Sequence, residues 1–210
     1  MSANGTLNQP AARSVRHLIT CAAVAIASVT LAQHSIAEPA ALDDAARLAL
    51  ARTASKDLGE ALKGQLVAAL KSGGPASAIN ACKTIAPTAT GDTAAKHGLT
   101  IRRTSLKVRN ASNAPDAFEA RVLAEFATKI AAGTDPATLE HSETVADGST
   151  KTFRYMKAIP TAAEPCLACH GSDLKPEVKA EISKLYPDDK AIGFKAGELR
   201  GAFSVSQTVK

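Results

Sequence analysis

The stretch Glu140-His-Ser-Glu-Thr-Val-Ala-Asp147-Gly148-Ser-Thr-Lys-Thr-Phe-Arg-Tyr-Met-Lys-Ala-Ile-Pro160 decides the fold class. Two extended segments, 140–146 and 151–159, flank Asp147-Gly148, a pair that favours a tight β-hairpin turn. In the second segment Phe153, Tyr155 and Ile159 share one face, Arg154 and Met156 point the other way, and Pro160 ends the strand. Farther along, Leu199–Val209 reads as a closing strand with Phe203, Val205 and Val209 on one side, and residues 98–108 alternate well enough to form another. The remainder follows a helical period. Residues 40–71 carry Leu58, Leu62, Leu66 and Leu70 in an i+4 stripe. Gly73-Gly74-Pro75 breaks that helix and opens a short one that closes before Pro87, with Ile79, Cys82 and Ala86 on one apolar face. Asn113 is the expected N-cap of a helix running to about Ala132, with Phe118, Val122, Phe126 and Ile130 as its buried stripe and Gly133 as its stop. A short helix over 175–186 precedes Pro187. These elements predict one α+β domain, with long N-terminal helices packed on a small antiparallel sheet.

The 210 residues are 45% apolar, mostly through alanine, which is enough to bury a core. Tryptophan is absent and aromatic residues make up 3%, too few rings for a nucleic-acid reader built on base stacking. The charge of +5 lends little support to a polyanionic partner. No stretch supplies the roughly 18 apolar residues of a spanning helix, which excludes a multi-pass membrane protein. At the N-terminus, Arg13, Arg16 and His17 precede an apolar run from Leu18 to Ala32, and Ser35-Ile36-Ala37 forms a small-x-small site. Residues 1–37 therefore read as a secretory signal cut after Ala37, with an uncut anchor as the alternative, and 38–210 as a single domain in the periplasm. Cys21 follows Thr20 early in the apolar run, a poor context for a lipoprotein anchor. Its removal leaves Cys82, Cys166 and Cys169. An odd number of cysteines in an exported chain asks for something other than a set of disulfides.

Cys166-Leu-Ala-Cys-His170 supplies it. Thiols three residues apart on one turn reach the two vinyl groups on one edge of a porphyrin, and the next histidine is carried beneath the ring toward the iron. A thioredoxin-like pair would sit at a helix start early in the domain. A zinc site would need a second ligand pair, and a disulfide across two residues would be strained. The single motif predicts one covalent haem c, with Cys166 and Cys169 as its thioether residues and His170 as the proximal iron ligand.

The second axial ligand is less directly written. Only Met156 remains as a methionine after export, and no methionine follows the haem motif, so the arrangement of the small electron-transfer cytochromes does not apply. Position alone allows the four-helix cytochromes c′, but four strands oppose them. Cys82, alone in an oxidising compartment, is the leading candidate, because a thiolate binds ferric iron strongly. His97, before Gly98 in an expected turn, and His141, among polar neighbours, are the others. Haem propionates need cationic partners. Arg102 and Arg103 are the first candidates, and Arg109 and Arg154 also flank the expected pocket.

An ordered set of segments adds a resemblance. Ile79-Asn-Ala-Cys82 with Ala86-Pro87, then Arg102-Arg-Thr-Ser-Leu-Lys-Val-Arg-Asn110, resembles a family of exported mono-haem c-type proteins of unknown function. So do Phe153-Arg-Tyr-Met-Lys-Ala-Ile-Pro160, Cys166-Leu-Ala-Cys-His-Gly171, Tyr186-Pro187-Asp188 and Arg200-Gly-Ala-Phe-Ser-Val205. The resemblance implies a PAS-like α+β fold and a low-potential haem c held by His170 and, from the N-terminal helices, Cys82. Relatives include stand-alone periplasmic proteins and sensory parts of membrane receptors.

Three function classes are consistent with this reading. A redox or small-gas sensor requires a ligand that leaves on reduction, CO or NO on the reduced iron, and a periplasmic signalling partner. A one-electron carrier requires unchanged ligation and a redox partner. An enzyme would need an open iron and a distal acid or base, and no motif supplies that pair, so enzymatic activity is not expected.

Overall fold

The structure is a computed structural model that describes residues 42–209. The expected signal segment 1–37 and Cys21 lie outside them. Asp43 caps the first helix, its side chain accepting the Ala46 N–H at 2.7 Å, and α1 spans Asp44–His97. This helix is two limbs joined at a break. Gly73 and Gly74 leave helical geometry there, and Gly74 takes φ 68°, a conformation that glycine adopts without a Cβ penalty. Pro75 then opens the second limb. The sequence reading closed that limb before Pro87, but it passes through Pro87 and continues to His97. Its buried face of Ala86, Ala89 and Thr93 runs on into the core, and this burial offsets the hydrogen bond lost at the proline.

The sheet comprises β1 (Thr100–Thr104), β2 (Glu140–Asp147), β3 (Thr150–Pro160) and β4 (Leu199–Val209) in the order β1-β4-β3-β2, with all neighbours antiparallel. The hairpin forms where the sequence placed it, Asp147 pairing with Thr150 across Gly148-Ser149. Alternation then sorts the two faces. Phe153, Tyr155, Phe203, Val205 and Val209 pack with Ala51, Ala54, Leu58 and Leu62 of α1. Met156, Ala158 and Ala202 face α2 (Ala117–Ala131), which contributes Phe118, Val122, Leu123, Phe126 and Ile130. The sheet is thus covered on both sides, and the fold is the expected PAS-like α+β class. Ile159 sits beside the register shift at Pro160 and is half-buried, in neither core.

Two further boundaries differ from the sequence reading. Asp116, not Asn113, caps α2, in a capping box with Glu119. β1 ends at Thr104, not near 108, because the chain leaves the sheet there. The Ser105 N–H donates to the Asn113 carbonyl at 3.3 Å, and Lys107 N–H to the Ser105 hydroxyl at 3.2 Å. That departure carries Arg109 away from the sheet and into the site described next. Two short helices follow β3, α3 (Leu167–His170) and α4 (Pro176–Leu185). A third apolar cluster joins Ile79 of α1 to Val178 and Ile182 of α4, with Cys169 packed against it. No helix among the described residues is long and apolar enough to cross a membrane.

Candidate functional site

The cysteine-histidine motif forms one turn of helix, with the His170 N–H bonded to the Cys166 carbonyl at 2.9 Å. Gly171 caps the turn in an extended conformation, and glycine suits the position because a Cβ there would lie 2.7 Å from the Leu167 carbonyl oxygen. Cys166 and Cys169 are half-buried free thiols on this turn.

His170 is held by the segment 189–194. Its Nδ1–H donates to the Ala191 carbonyl at 2.7 Å, its own carbonyl accepts the Phe194 N–H at 2.9 Å, and the Gly171 carbonyl accepts the Gly193 N–H at 3.0 Å. The Phe194 ring stands edge-on to the imidazole at 89°, with centroids 6.2 Å apart. Burial, followed by the charges of Arg200 and Arg109, drives the imidazole pKa down to about 2. The ring is therefore neutral, with its proton on Nδ1 and the Nε2 lone pair free of any protein partner among the described residues.

Cys82, on the second limb of α1, faces the same region. Its side chain is exposed, in contrast to its helix neighbours Ile79 and Ala86, which are buried, and partial desolvation is the main influence raising its thiol pKa. Arg103 and Arg109 are the charges opposing that rise, and Cys82 in turn acts on Cys169 and Tyr186. The limb is tied to α4 by Asn80 donating to Glu181 at 2.7 Å and Lys83 donating to the Leu185 carbonyl at 3.3 Å.

Three guanidiniums converge here with one carboxylate. Arg109 pairs with Asp189 at 3.0 Å. Among the described residues neither Arg103 nor Arg200 pairs with an acid, although burial lowers both pKa values, Arg200 to about 10 with help from the like charges of Arg109 and Arg103. Arg200 donates to the Ser105 hydroxyl at 3.3 Å and lies over the Phe194 ring.

Other predicted residues lie elsewhere. Arg102 is not free for a propionate. It donates to Glu119 at 3.0 Å and to the Ser112 and Ala114 carbonyls, because alternation along β1 turns it toward α2 while Arg103 faces Cys82. Arg154 joins the same α2 cluster through Asp116 at 2.7 Å. His97 is bonded to Asp57, His141 to Glu143, and Met156 is fully buried under α2, so none of them reaches the site. Asp189, Ala191 and Phe194 were not found by sequence reasoning. Their only signal is the run that follows the Tyr-Pro-Asp segment, and what matters in it is partly a backbone carbonyl.

The sequence matches the Tll0287-like family over residues 13–208. The chain belongs to this family. Among solved structures, the fold is similar to that of the cyanobacterial haem protein Tll0287, with a TM-score of 0.60 and 26% identity over 79% of this chain and 96% of that one. No curated protein matches.

The donor set of this Tll0287-like chain fits an iron porphyrin better than a bare metal ion. Two thiols on one turn, a neutral imidazole with Nε2 open, a facing cysteine and two guanidiniums without an acidic partner would suit the vinyls, iron and propionates of such a group. No cluster of three or more His, Cys, Asp or Glu side chains suited to an ion occurs among the described residues.

Proposed function

We propose that this chain carries one haem c on Cys166 and Cys169, ligated by His170 and Cys82, and serves in the periplasm as a sensor of redox state or of a small gas such as CO or NO. The observation that carries the reading is His170. Its Nδ1–H is fixed on the Ala191 carbonyl, which leaves Nε2 open on the turn that bears both thiols. When bound, the group supplies one-electron exchange between ferric and ferrous iron.

The chain's own residues do the rest. Arg103 and Arg200 offer charge-assisted hydrogen bonds to the propionates. Cys82, as a thiolate, would favour the ferric state and keep the potential low. Desolvation disfavours a free Cys82 thiolate, so Cys82 would be the ligand poised to take a proton and exchange if the group were reduced. Ile79, Asn80 and Lys83 couple the limb bearing Cys82 to α4, so a change at that ligand is felt on the surface of α4, where a separate signalling protein can read it. The half-exposed Cys166 and Cys169 favour a second reading as a one-electron carrier, because a thioether edge at the surface is within reach of a redox partner.

Absorption spectra of the protein, exported in a strain competent for cytochrome c maturation, separate the two. A low-spin ferric spectrum with a thiolate charge-transfer band, and rapid CO binding after reduction, supports the sensor. A low-spin spectrum in both states that ignores CO supports the carrier. Absence of covalent haem refutes both.

A further inference from the structure

The Ala191 carbonyl that orients His170 is shared. Besides the His170 Nδ1–H at 2.7 Å, it accepts a longer hydrogen bond from Arg109 Nη2 at 3.3 Å. The same nitrogen also donates to the Cys169 carbonyl at 2.6 Å and to Asp189 at 3.0 Å, so its two N–H groups are shared among three acceptors. The other Asp189 oxygen accepts the Ala191 N–H at 2.8 Å. Arg109 and Asp189 retain only 12% and 6% of their side-chain exposure, so these contacts are poorly screened. One guanidinium thus ties the haem-motif turn, through Cys169, to the strap that holds His170.

A carbonyl that accepts only an imidazole N–H strengthens that imidazole as an electron donor, giving it partial imidazolate character. A cation on the same oxygen withdraws density from it and makes it a poorer acceptor. We propose that Arg109, locked in place by Asp189, is a positioning residue that limits how strongly His170 donates to the iron. This rests on the haem reading above. Asp189 serves both ends, fixing the peptide of Ala191 through its N–H and the guanidinium through its second oxygen.

Removing any cation from this region lowers the reduction potential, so potential alone does not isolate the shared carbonyl. The iron–histidine stretching band of the ferrous protein does, because it reports His170 donation directly. It is recorded by resonance Raman in a Cys82→Ala background, which keeps the opposite position free of thiolate. Arg109→Gln is expected to lower the potential and to move the band to higher frequency. Arg103→Gln, which removes a neighbouring cation that makes no hydrogen bond to a carbonyl among the described residues, is expected to lower the potential and leave the band in place. Should Arg109→Gln fail to fold, Arg109→Lys retains the charge with a shorter reach. It is expected to raise the band with little change in potential. A band unmoved in both Arg109 variants, or moved equally by Arg103→Gln, would overturn the proposal and reduce Arg109 to a distant charge. Failure of the haem reading itself would appear earlier, as absence of covalent haem in the unsubstituted protein.

Discussion

Replacing Tyr155 by phenylalanine tests how α1 is fastened to the sheet, since the hydroxyl is the one polar atom that this ring brings into the apolar layer. The ring is 1% exposed, and its O–H donates to Glu140 at 2.9 Å, while Glu140 also receives the guanidinium of Arg52 from α1. A hydrogen bond to a charged acceptor contributes about 1.5–3 kcal/mol, and the lower end applies because Glu140 keeps Arg52 and partial exposure. Tyr155→Phe should therefore cost about 1.5 kcal/mol at neutral pH. Burial, reinforced by the Glu140 bond, raises the phenol pKa well above its ordinary value of 10.0. The sign follows from proton counts. Above pH 10 the unfolded chain loses the phenolic proton and the folded chain keeps it, so the folded state binds more protons and stability falls as pH rises. By pH 11 that loss amounts to about 1.4 kcal/mol, nearly the whole advantage of the hydroxyl. Urea unfolding of both proteins from pH 7 to 11 measures this directly. The difference between them should shrink toward zero at the alkaline end. Tyr186, whose pKa is also raised by burial, is common to both and cancels. A difference that stays constant to pH 11 would refute the reasoning.

Cys82→Ala should convert the low-spin ferric spectrum to a high-spin or water-bound one and raise the potential, with little effect on folding because the side chain is accessible; an unchanged ferric spectrum would remove Cys82 from the ligand set. Gly171→Ala forces a methyl against the Leu167 carbonyl at 2.7 Å, so covalent haem loading should drop and stability fall by about 1–3 kcal/mol, measured by haem stain per protein and thermal melts. Full loading with an unshifted melt would show that the turn after His170 yields freely. Glu119→Ala removes a carboxylate that is 1% exposed and that caps α2 while binding Arg102, and it should cost about 3 kcal/mol in urea unfolding; a cost under about 1 kcal/mol would mean that the arginines find water instead.

The α2 stripe and the hairpin around Gly148 were legible because each depends on a local period: 3.6 residues for a helix face, two for a strand face, and a glycine where the turn needs it. The haem-motif residues were legible for the same reason, since two thiols and an imidazole on one turn are a property of spacing alone. Sequence could offer Cys82 as a ligand candidate, from its lack of a partner and from the family resemblance, but not its surroundings. That it faces Arg103, Arg109 and Cys169 depends on a bend at Gly74 and on Ile79 packing against α4, contacts that join residues about a hundred positions apart. The arginines show the division most sharply. Arg102 and Arg103 are adjacent in sequence and chemically identical, and both were candidates for the same task. The sheet separates them, because neighbouring side chains on a strand point to opposite faces and only the tertiary structure decides which face carries α2 and which the site. The sequence by itself determined the elements and the haem-motif turn, since both are set by spacing along the chain. Tertiary structure alone decided which charges meet at His170, because the Asp189 carboxylate and the Ala191 carbonyl that hold Arg109 there acquire that role only when the strap folds against the turn.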